Sequence, residues 1–442
     1  MYFILNTLVF LLLSGYAFVL MLSKPSYVKL SKTEKTLLTG REKFLLLTIA
    51  TGMIQAGSFS AFRLMLWICI ILFAFLLYRK LPKLNVLVFA YMLFLGWMIF
   101  SLSWVESVEF GVRNILKYLY PFLIMLFAAT FVRSKDFIFV AMRWMIITAV
   151  GVSLLQGGFT THVLGIWFLN LEGVFWPMST MADYLAIMSG VSYLMWWRTK
   201  DRMYLYLIGW FLLSSVLGSV RTGLLGIFAV LTVASYLRYR VYALPYIAGI
   251  AMFSILLVVF IPQVKEKMFY DSSVVTSIDS LNSIELSQIN SSGRFAMWEW
   301  MLNTFYEDNK LTGSGIGSVQ ERFYSGSHPF GRLKVVHNDY VQILGDVGLV
   351  GISLYLLFVL FSVLMVRKYI KKSVPLYLQN TAFLAVTSFA AVLTTMMTDN
   401  VVNYSFAAHS YPFIFVGIMI AYRKIYKDDL KMQNKEIVYE RS

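Results

Sequence analysis

The stretch VVHNDYVQILGDVGLVGISLYLLFVLFSVLMV, residues 335–366, contains an apolar run that is long enough to cross a membrane as one helix. His337 and Asn338 stand at the edge of this run, directly after a long polar segment. Gly345, Gly348 and Gly351 follow at a spacing that a continuous helix places on one face, where small residues allow close helix packing. The stretch therefore predicts a membrane helix with a polar start.

The composition of the whole chain is that of a membrane protein. Of its 442 residues, 59% are hydrophobic and only 14% are charged, whereas a soluble domain carries about 25% charged residues. Aromatic residues make up 17% of the chain, and the mean hydropathy is +0.70. These values predict an all-α polytopic membrane protein.

The charge and the cysteine content exclude some other classes. A net charge of +15 would suggest a nucleic-acid partner for a soluble protein. In a membrane protein, cytoplasmic loops rich in Lys and Arg explain it, so we expect membrane lipids and no nucleic acid as partners. Cys69 is the single cysteine, which excludes an intrachain disulfide.

Runs of roughly 20 mostly apolar residues predict about 12 to 13 membrane helices. The candidate spans cover residues 2–22, 44–60, 62–78, 84–103, 115–132, 137–156, 181–197, 203–219, 222–237, 243–261, 341–366, 376–397 and 404–422. The first run lacks the basic start and the small-residue cleavage site of a signal peptide, so we expect a membrane helix there.

The positions of Lys and Arg test this arrangement, because these residues accumulate in cytoplasmic loops. Of the 38 Lys and Arg residues, 26 lie in clusters at 24–43, 79–83, 133–135, 198–202, 238–240, 367–372 and 423–441. The clusters occupy every second loop, as a consistent topology requires. Four regions are therefore predicted: an N-terminal bundle of ten spans (1–261), a large outer loop (262–340), three further spans (341–422) and a cytoplasmic tail (423–442).

The large outer loop contains a predicted helix of its own. Loops of about 80 residues without a role are uncommon. In SGRFAMWEWMLNTFYED, apolar residues recur at helical spacing, which predicts an amphipathic helix that lies on the membrane or against the bundle. The residues of its predicted apolar face are Phe295, Trp298, Met301, Leu302 and Phe305.

Several basic residues lie outside the cytoplasmic clusters. Arg221 stands between two apolar runs in LLSSVLGSVRTGLLGIF, and a charge at the membrane centre costs at least about 2.5–3.5 kcal/mol. It is either a snorkelling residue in a short outer turn or an anion-binding residue that glycines and serines make accessible. Arg63, Arg113 and Lys117 lie near span ends and are predicted to snorkel, as is Arg143 toward the cytoplasm.

The outer loop also offers groups that would suit a phosphate-bearing ligand. Arg294 opens the predicted amphipathic helix, where the helix dipole favours an acid, so it is either a solvated charge or aimed at a bound anion. The GSGIGS stretch at 313–318 either exposes backbone N–H groups to phosphate or forms a plain turn. Toward His337 the loop becomes basic, with Lys310, Arg322, Arg332 and Lys334 against the single acid Glu321.

His337 is one of four histidines, with His162, His328 and His409. Histidine is the side chain best suited to accept a proton near neutral pH, although a lone histidine at a helix start is more often structural. A structural role is the interpretation for His162 and His409. No HExxH or CxxC motif and no P-loop is present, and we expect neither a metal nor another cofactor.

Four of these elements together resemble the superfamily of O-antigen ligases and polysaccharide polymerases. That family has a His, then Asn, Ser or Gln, a Gly after nine further residues, and a Gly, Thr or Tyr three positions later. His337, Asn338, Gly348 and Gly351 match this motif here. Its arginine before an apolar helix corresponds to Arg221 in GSVRTGLLG. The remaining two elements are an Arg followed by Trp early in the outer loop, here Arg294 and Trp298, and the glycines of GSGIGS.

The resemblance implies a GT-C-like membrane enzyme that catalyses metal-independent, inverting glycosyl transfer at the outer face of the bacterial inner membrane. The donor would be an undecaprenyl-diphosphate-linked oligosaccharide. Arg221 and Arg294 would bind its diphosphate, and His337 would orient or deprotonate the acceptor hydroxyl. Asn338, Gly348 and Gly351 would support this site.

The residues leave the particular activity open. The sequence pattern SGR…W…GxGxG…HNDYVQIL favours a repeat-unit polymerase for O-antigen, capsule or exopolysaccharide. By analogy, such a polymerase would have a chain-length regulator as a partner. An O-antigen ligase that transfers the glycan to lipid A–core, or a transferase to protein, is an alternative within the same superfamily. A flippase or exporter of lipid-linked oligosaccharides is the alternative from another class, although no internal repeat typical of transporters is visible.

Overall fold

The computed structural model of the protein describes residues 2–29, 34–80, 84–156, 174–218, 220–269, 288, 290–331, 335–371 and 373–441. His162, Arg332 and Lys334 lie outside these ranges. A short antiparallel hairpin, β1–β2, follows the first helix. The elements in chain order are α1 (Tyr2–Leu22), β1 (Ser26–Lys29), β2 (Lys35–Leu38), α2 (Gly40–Ala50), α3 (Ser60–Leu77), α4 (Val86–Ser101), α5 (Val108–Phe131), α6 (Phe137–Gln156), α7 (Met178–Thr199), α8 (Met203–Leu217), α9 (Arg221–Tyr239), α10 (Leu244–Phe260), α11 (Pro262–Met268), α12 (Arg294–Phe305), α13 (Ser318–Ser325), α14 (Asp339–Val366), α15 (Leu376–Thr395) and α16 (Ser410–Arg441).

The predicted fold class, an all-α polytopic membrane protein, is confirmed. Nine helical stretches of the described chain are long and apolar enough to cross a membrane, one of which contains both α9 and α10. The shorter α8 is also apolar. The more polar α7 is buried by its neighbours along most of its length. Twelve of the thirteen predicted spans coincide with one helix each.

The predicted span at 44–60 is wrong. The helix α2 ends at Ala50 after 11 residues, which is about 16 Å or half of the membrane core. The chain then runs in turns to the level of Asn6 in the first turns of α1, where Gly57 packs against the Asn6 side chain. Hydropathy does not detect this break, because the residues on both sides of it are similarly apolar.

The buried Arg63 compensates for the break after α2. Its guanidinium donates hydrogen bonds to the carbonyl oxygens of Ile54 and Thr51 and to the Thr51 hydroxyl. A helix end leaves carbonyl groups without partners, and inside a membrane such groups must be satisfied within the protein. The side chain is 1% exposed and lies over the rings of Trp67 and Phe406. The prediction that Arg63 snorkels is therefore wrong.

Small residues bring the helices that carry the site into close contact. Gly223 and Gly226 of α9 face Ala182 and Ala186 of α7, and any larger side chain there would collide with α7. Thr395, at the end of α15, also contacts Gly226. The start of α9 and the end of α15 therefore lie at the same end of the bundle, which we call the site end.

The predicted amphipathic helix of the outer loop is present as α12. Its buried residues Met297, Met301 and Phe305 form a small apolar cluster with Phe323 of α13 and its neighbours. The predicted apolar face was partly wrong, because Phe295 is 46% exposed. The helix thus packs on α13 and on α14, at the site end.

The helix α14 is interrupted at Gly348, whose backbone has φ 65° and ψ −167°. The N–H groups of Leu349 and Val350 are freed by this break, and they donate to the carbonyl oxygens of Lys310 at 2.8 Å and Leu311 at 3.2 Å. A Cβ atom at position 348 would overlap the backbone of Leu311, so glycine is required. The loop after α12 is thereby inserted into the break of a membrane helix.

The last helix extends well beyond the last predicted span, 404–422. It begins at Ser410 and continues to Arg441. The predicted tail therefore shares one helix with that span up to residue 441. Residues 423–441 are rich in Lys, Glu and other good helix formers, which explains why the helix does not stop where the hydropathy falls.

Candidate active site

His337 lies two residues before α14 and is held by the short segment that follows α15. Its backbone N–H donates to the Asn400 side-chain oxygen at 2.6 Å, and its φ of +53° is in the left-handed region. Its ring Nδ1 lies 3.3 Å from the Asp399 carboxylate, with the His337 side chain 26% exposed and that of Asp399 4% exposed. A hydrogen bond from Nδ1–H to this carboxylate leaves the lone pair on Nε2, where it can accept a proton.

Asp399 and Asn400 belong to the candidate site, although no local sequence motif predicts them. Asn400 donates from its amide to Asp339 at 3.2 Å and to Gln342 at 2.9 Å, and its backbone N–H donates to Asp399 at 2.8 Å. Asp399 is the only acidic residue between Asp346 and Asp428. An isolated acid in an apolar region is the sequence feature from which Asp399 could have been predicted as a site residue.

Arg294 is the first residue of α12 and reaches the same segment. Its guanidinium donates to the backbone carbonyl of Thr398 at 2.7 Å. Partial burial lowers the pKa of the Arg294 side chain, while the negative charge of nearby Asp399 opposes that shift. An arginine remains protonated in proteins, so Arg294 places a full positive charge beside the histidine–aspartate pair.

Arg221 is the first residue of α9, on the other side of the segment that leads into α12. Its guanidinium donates to the carbonyl of Asn290 at 2.6 Å and to the Ser292 hydroxyl at 3.3 Å. The chain from Asn290 to Gly293 therefore connects the Arg221 side chain to Arg294, the first residue of α12. Two short segments, 290–294 and 398–400, thus connect all three residues that the sequence analysis selected.

The residues predicted to support the site fall into two groups. Asn338 caps α14, because its side-chain oxygen accepts from the backbone N–H of Val341 at 3.1 Å. Gly348 marks the break in α14, so the predicted continuous small-residue face is wrong. Gly345 faces Met301 of α12 on one side of this break, and Gly351 lies near Trp97 of α4 on the other.

The glycine stretch at 313–317 forms a tight turn. The Asp346 carboxylate of α14 accepts hydrogen bonds from the backbone N–H of Val319 at 3.0 Å and from that of Gly317. Gly315 and Gly317 lie directly against the backbone of α4 and α5. Because an internal carboxylate already occupies these N–H groups, the structure favours a turn that fixes the loop over a cradle for phosphate.

Lys117 of α5 joins the outer segment to the site. Its ammonium group donates to Asn114 at 2.9 Å, to Gln320 of α13 at 3.1 Å and to Asn403 at 2.7 Å. These three amide oxygens replace water, so the prediction that Lys117 snorkels is wrong. Arg113, which pairs with the exposed Glu109 at 2.5 Å, is solvent-accessible as predicted.

The two remaining candidate histidines have structural surroundings. His409 is fully buried, with its Nε2 atom 3.3 Å from the hydroxyl of Tyr355. His328 accepts from the backbone N–H of Phe330 at 3.1 Å and packs against Phe323. In the part of the chain that the structure describes, no three His, Cys, Asp or Glu side chains are grouped as metal ligands would be.

The fold and the site define a multi-pass membrane protein in which a polar segment folds back over one end of the bundle and gathers a histidine, two arginines and a carboxylate. Residues 210–356, about a third of the chain, match the family model described as O-antigen ligase. Over these residues the chain is similar to that superfamily, in agreement with the resemblance predicted from the sequence motifs. No curated protein matches the chain. The match contains Arg221, Arg294 and His337 and ends before Asp399.

Proposed function

We propose that this O-antigen ligase-type membrane enzyme is a glycosyltransferase for undecaprenyl-diphosphate-linked glycans, and that it polymerises repeat units at the outer face of the bacterial inner membrane. The observation that carries the proposal is the pairing of His337 with the buried Asp399, with the Arg294 guanidinium beside it. A base and a fixed positive charge are the two groups that glycosyl transfer from a diphosphate requires.

His337 acts on the acceptor. Its Nε2 takes the proton of an acceptor hydroxyl as the hydroxyl oxygen attacks the anomeric carbon of the donor sugar. The new glycosidic bond forms as the bond from that carbon to the diphosphate oxygen breaks, and undecaprenyl diphosphate leaves. Attack from the face opposite the leaving group inverts the anomeric centre. Asp399 holds the ring in the required tautomer and stabilises its positive charge.

The two arginines act on the donor. Arg221 and Arg294 donate hydrogen bonds to the backbone carbonyls of Asn290 and Thr398, which are neutral acceptors. Phosphate oxygens add the attraction of opposite charges and allow bidentate contacts, so a diphosphate between the two guanidinium groups would replace these partners. The same contacts become stronger as negative charge develops on the leaving group.

The family description itself supports transfer of finished glycan to lipid A–core as the second candidate. A deletion strain distinguishes the two. We expect a polymerase deletion to remove long polymer while single-repeat material still reaches its final acceptor. Accumulation of long lipid-linked chains, with no glycan on the lipid core, would identify a ligase.

Activity of the purified protein tests the enzyme itself. With lipid-linked repeat units, the protein is expected to form glycosidic bonds without ATP and in the presence of a chelator, and His337→Ala is expected to abolish this. Bond formation that stops with chelator contradicts the metal-independent mechanism. Wild-type protein that moves lipid-linked units across vesicle membranes but forms no bonds would be a flippase.

A further inference from the structure

A cavity of about 630 Å³ lies at the end of the bundle opposite the site. It is enclosed by the turn after α3, the start of α4, the end of α5 and the α16 helix beyond Ala421. We call this the basic end, because seven cationic side chains and one acid, Asp428, line the cavity among the residues that the structure describes. These cations are Arg79, Lys80, Arg133, Arg423, Lys424, Lys427 and Lys431.

The remaining walls of this cavity are largely apolar. Val88 of α4, Leu126 and Ala129 of α5, and Ile420 and Ala421 of α16 line it. These residues lie on the membrane-spanning parts of their helices, next to the cationic residues at the helix ends. The cavity therefore has the two-part character of a lipid at the membrane surface, with charge at one side and hydrocarbon at the other.

The cations converge in a way that the general excess of Lys and Arg in cytoplasmic loops does not require. They come from three chain segments that are distant in sequence. In α16, Arg423, Lys427 and Lys431 recur every four residues, which places them on one face of the helix. This face exists because α16 continues as a helix beyond its apolar part.

The positive charge of this cavity is poorly compensated. Partial burial lowers the pKa of Lys80, and the charges of Arg133, Arg41 and Lys424 lower it further. In the described part of the chain, none of the seven cations forms an ion pair. The Nε atom of Arg423 is buried without a hydrogen-bond partner. An anion in the cavity would relieve this repulsion.

We propose that this cavity is a binding site for the headgroup of an anionic phospholipid. The lipid phosphodiester lies among the cations of the turn after α3 and of α16, and an acyl chain runs along the apolar wall of α4, α5 and α16. Basic pockets between membrane helices are suited to such headgroups, because each Lys or Arg adds attraction at the membrane surface.

This site is separate from the candidate active site. From Ser410, at the site end, to Lys427, the helix α16 rises roughly 25 Å. The cavity also shares no residue with the segments 290–294 and 398–400. Binding there can therefore be measured without substrate, and loss of lipid binding is distinguishable from loss of glycosyl transfer.

The test uses the purified full-length protein and native mass spectrometry, with titration of phosphatidylglycerol, cardiolipin, phosphatidylcholine and inorganic phosphate. The triple variant Lys80→Gln, Lys424→Gln, Lys427→Gln removes three of the lining charges. A matched control removes three exposed basic residues that lie outside the cavity, namely Arg367→Gln, Lys368→Gln and Lys371→Gln. A triple Lys→Arg variant at 80, 424 and 427 preserves the charge.

We expect the wild type to retain phosphatidylglycerol or cardiolipin in preference to phosphatidylcholine. Three lost cations should weaken anionic lipid binding on the order of 100-fold. The control triple and the Lys→Arg triple should bind as the wild type does, and the thermal unfolding of all lipid-free proteins should coincide. If the Gln triple unfolds earlier, the preference of the intact wild type for phosphatidylglycerol or cardiolipin over phosphatidylcholine still tests the proposal.

Three results would overturn the proposal. Equal retention of phosphatidylcholine would show that the cavity does not select charge. Equal losses in the Gln triple and the control would show that general surface charge, and not the cavity, attracts lipid. Displacement of bound lipid by millimolar inorganic phosphate would identify a site for soluble anions.

Discussion

Replacing Asp399 by Asn is the most direct probe of the histidine–aspartate pair. The substitution keeps the shape of the side chain but removes its charge, and the new amide can donate to Nδ1 of His337. The imidazole would then carry its proton on Nε2 and could no longer accept one from the acceptor. The fold stays intact if Asn400 still holds the segment through Asp339.

The structure sets the size of the expected effect. A positioned general base contributes about 10²–10⁴ in rate. The Nδ1–Oδ1 distance of 3.3 Å is slightly longer than a normal hydrogen bond. We therefore expect the lower part of that range for Asp399→Asn, a loss of about 10²–10³ in kcat, or about 2.7–4 kcal/mol in activation free energy.

The assay is turnover of a purified lipid-linked repeat unit, with kcat and KM measured separately. Because Asp399 does not contact the donor in the proposed mechanism, kcat should fall while KM changes little. Asp308→Asn, at an exposed acid after α12, controls for the loss of one negative charge. The double variant with His337→Ala should be no slower than His337→Ala alone, since the two residues act as one unit.

Turnover by Asp399→Asn within about threefold of the wild type would refute the role of the pair. A loss that simply multiplies with that of His337→Ala would also refute it, because independent contributions do not interact. Circular dichroism and thermal unfolding of the variant must match the wild type for either result to count. A purely structural role would instead lower the unfolding temperature.

Three further substitutions test other parts of the structure. Arg294→Lys keeps the charge but loses the planar fork, so kcat/KM should fall about 10–100-fold in the same assay. Gly348→Ala should cost about 2–3 kcal/mol and lower the unfolding temperature, because φ is 65° there, whereas Gly209→Ala in the open face of α8 should not. Arg63→Met should lower the unfolding temperature by removing the side-chain donor to the Ile54 carbonyl, at about 2–4 kcal/mol.

Each of these has a specific contrary result. Full activity of Arg294→Lys would mean that a point charge suffices for the diphosphate. A Gly348→Ala protein as stable as Gly209→Ala would show that α14 is continuous in solution. An unchanged unfolding temperature of Arg63→Met would show that the Ile54 carbonyl does not depend on Arg63 for its hydrogen bond.

Sequence periodicity and length were sufficient for most of the fold, because a spanning helix is defined by about 20 local residues. Counting apolar residues gave a wrong span at 44–60, because α2 ends in a turn that Arg63 of another helix stabilises. Lys117 was misjudged for the same reason. Whether a cation snorkels or is buried depends on the oxygens that surround it, and its Gln320 and Asn403 partners are more than 200 residues away.

The candidate site was predictable where its residues stand in local motifs, and not where the contact is distant. Arg221, Arg294 and His337 were selected from their neighbours in the sequence, while their roles stay predictions. Asp399 was missed because it meets His337 across 62 residues. A single sequence does not show which residues at that separation are in contact. An isolated acid between two apolar helices nevertheless indicates that the acid has a partner in the fold.

The segment after α15 explains how these distant residues act together. Asp339 of α14 holds it through Asn400 and the backbone N–H of Val402, Lys117 of α5 holds Asn403, and Arg294 of α12 holds the Thr398 carbonyl. Three helices thus fix the position of Asp399 relative to His337. Because a diphosphate would draw Arg294 away from Thr398, donor binding would release one of these three contacts and alter the His337–Asp399 distance. Catalysis would then be coupled to donor binding through a single backbone carbonyl.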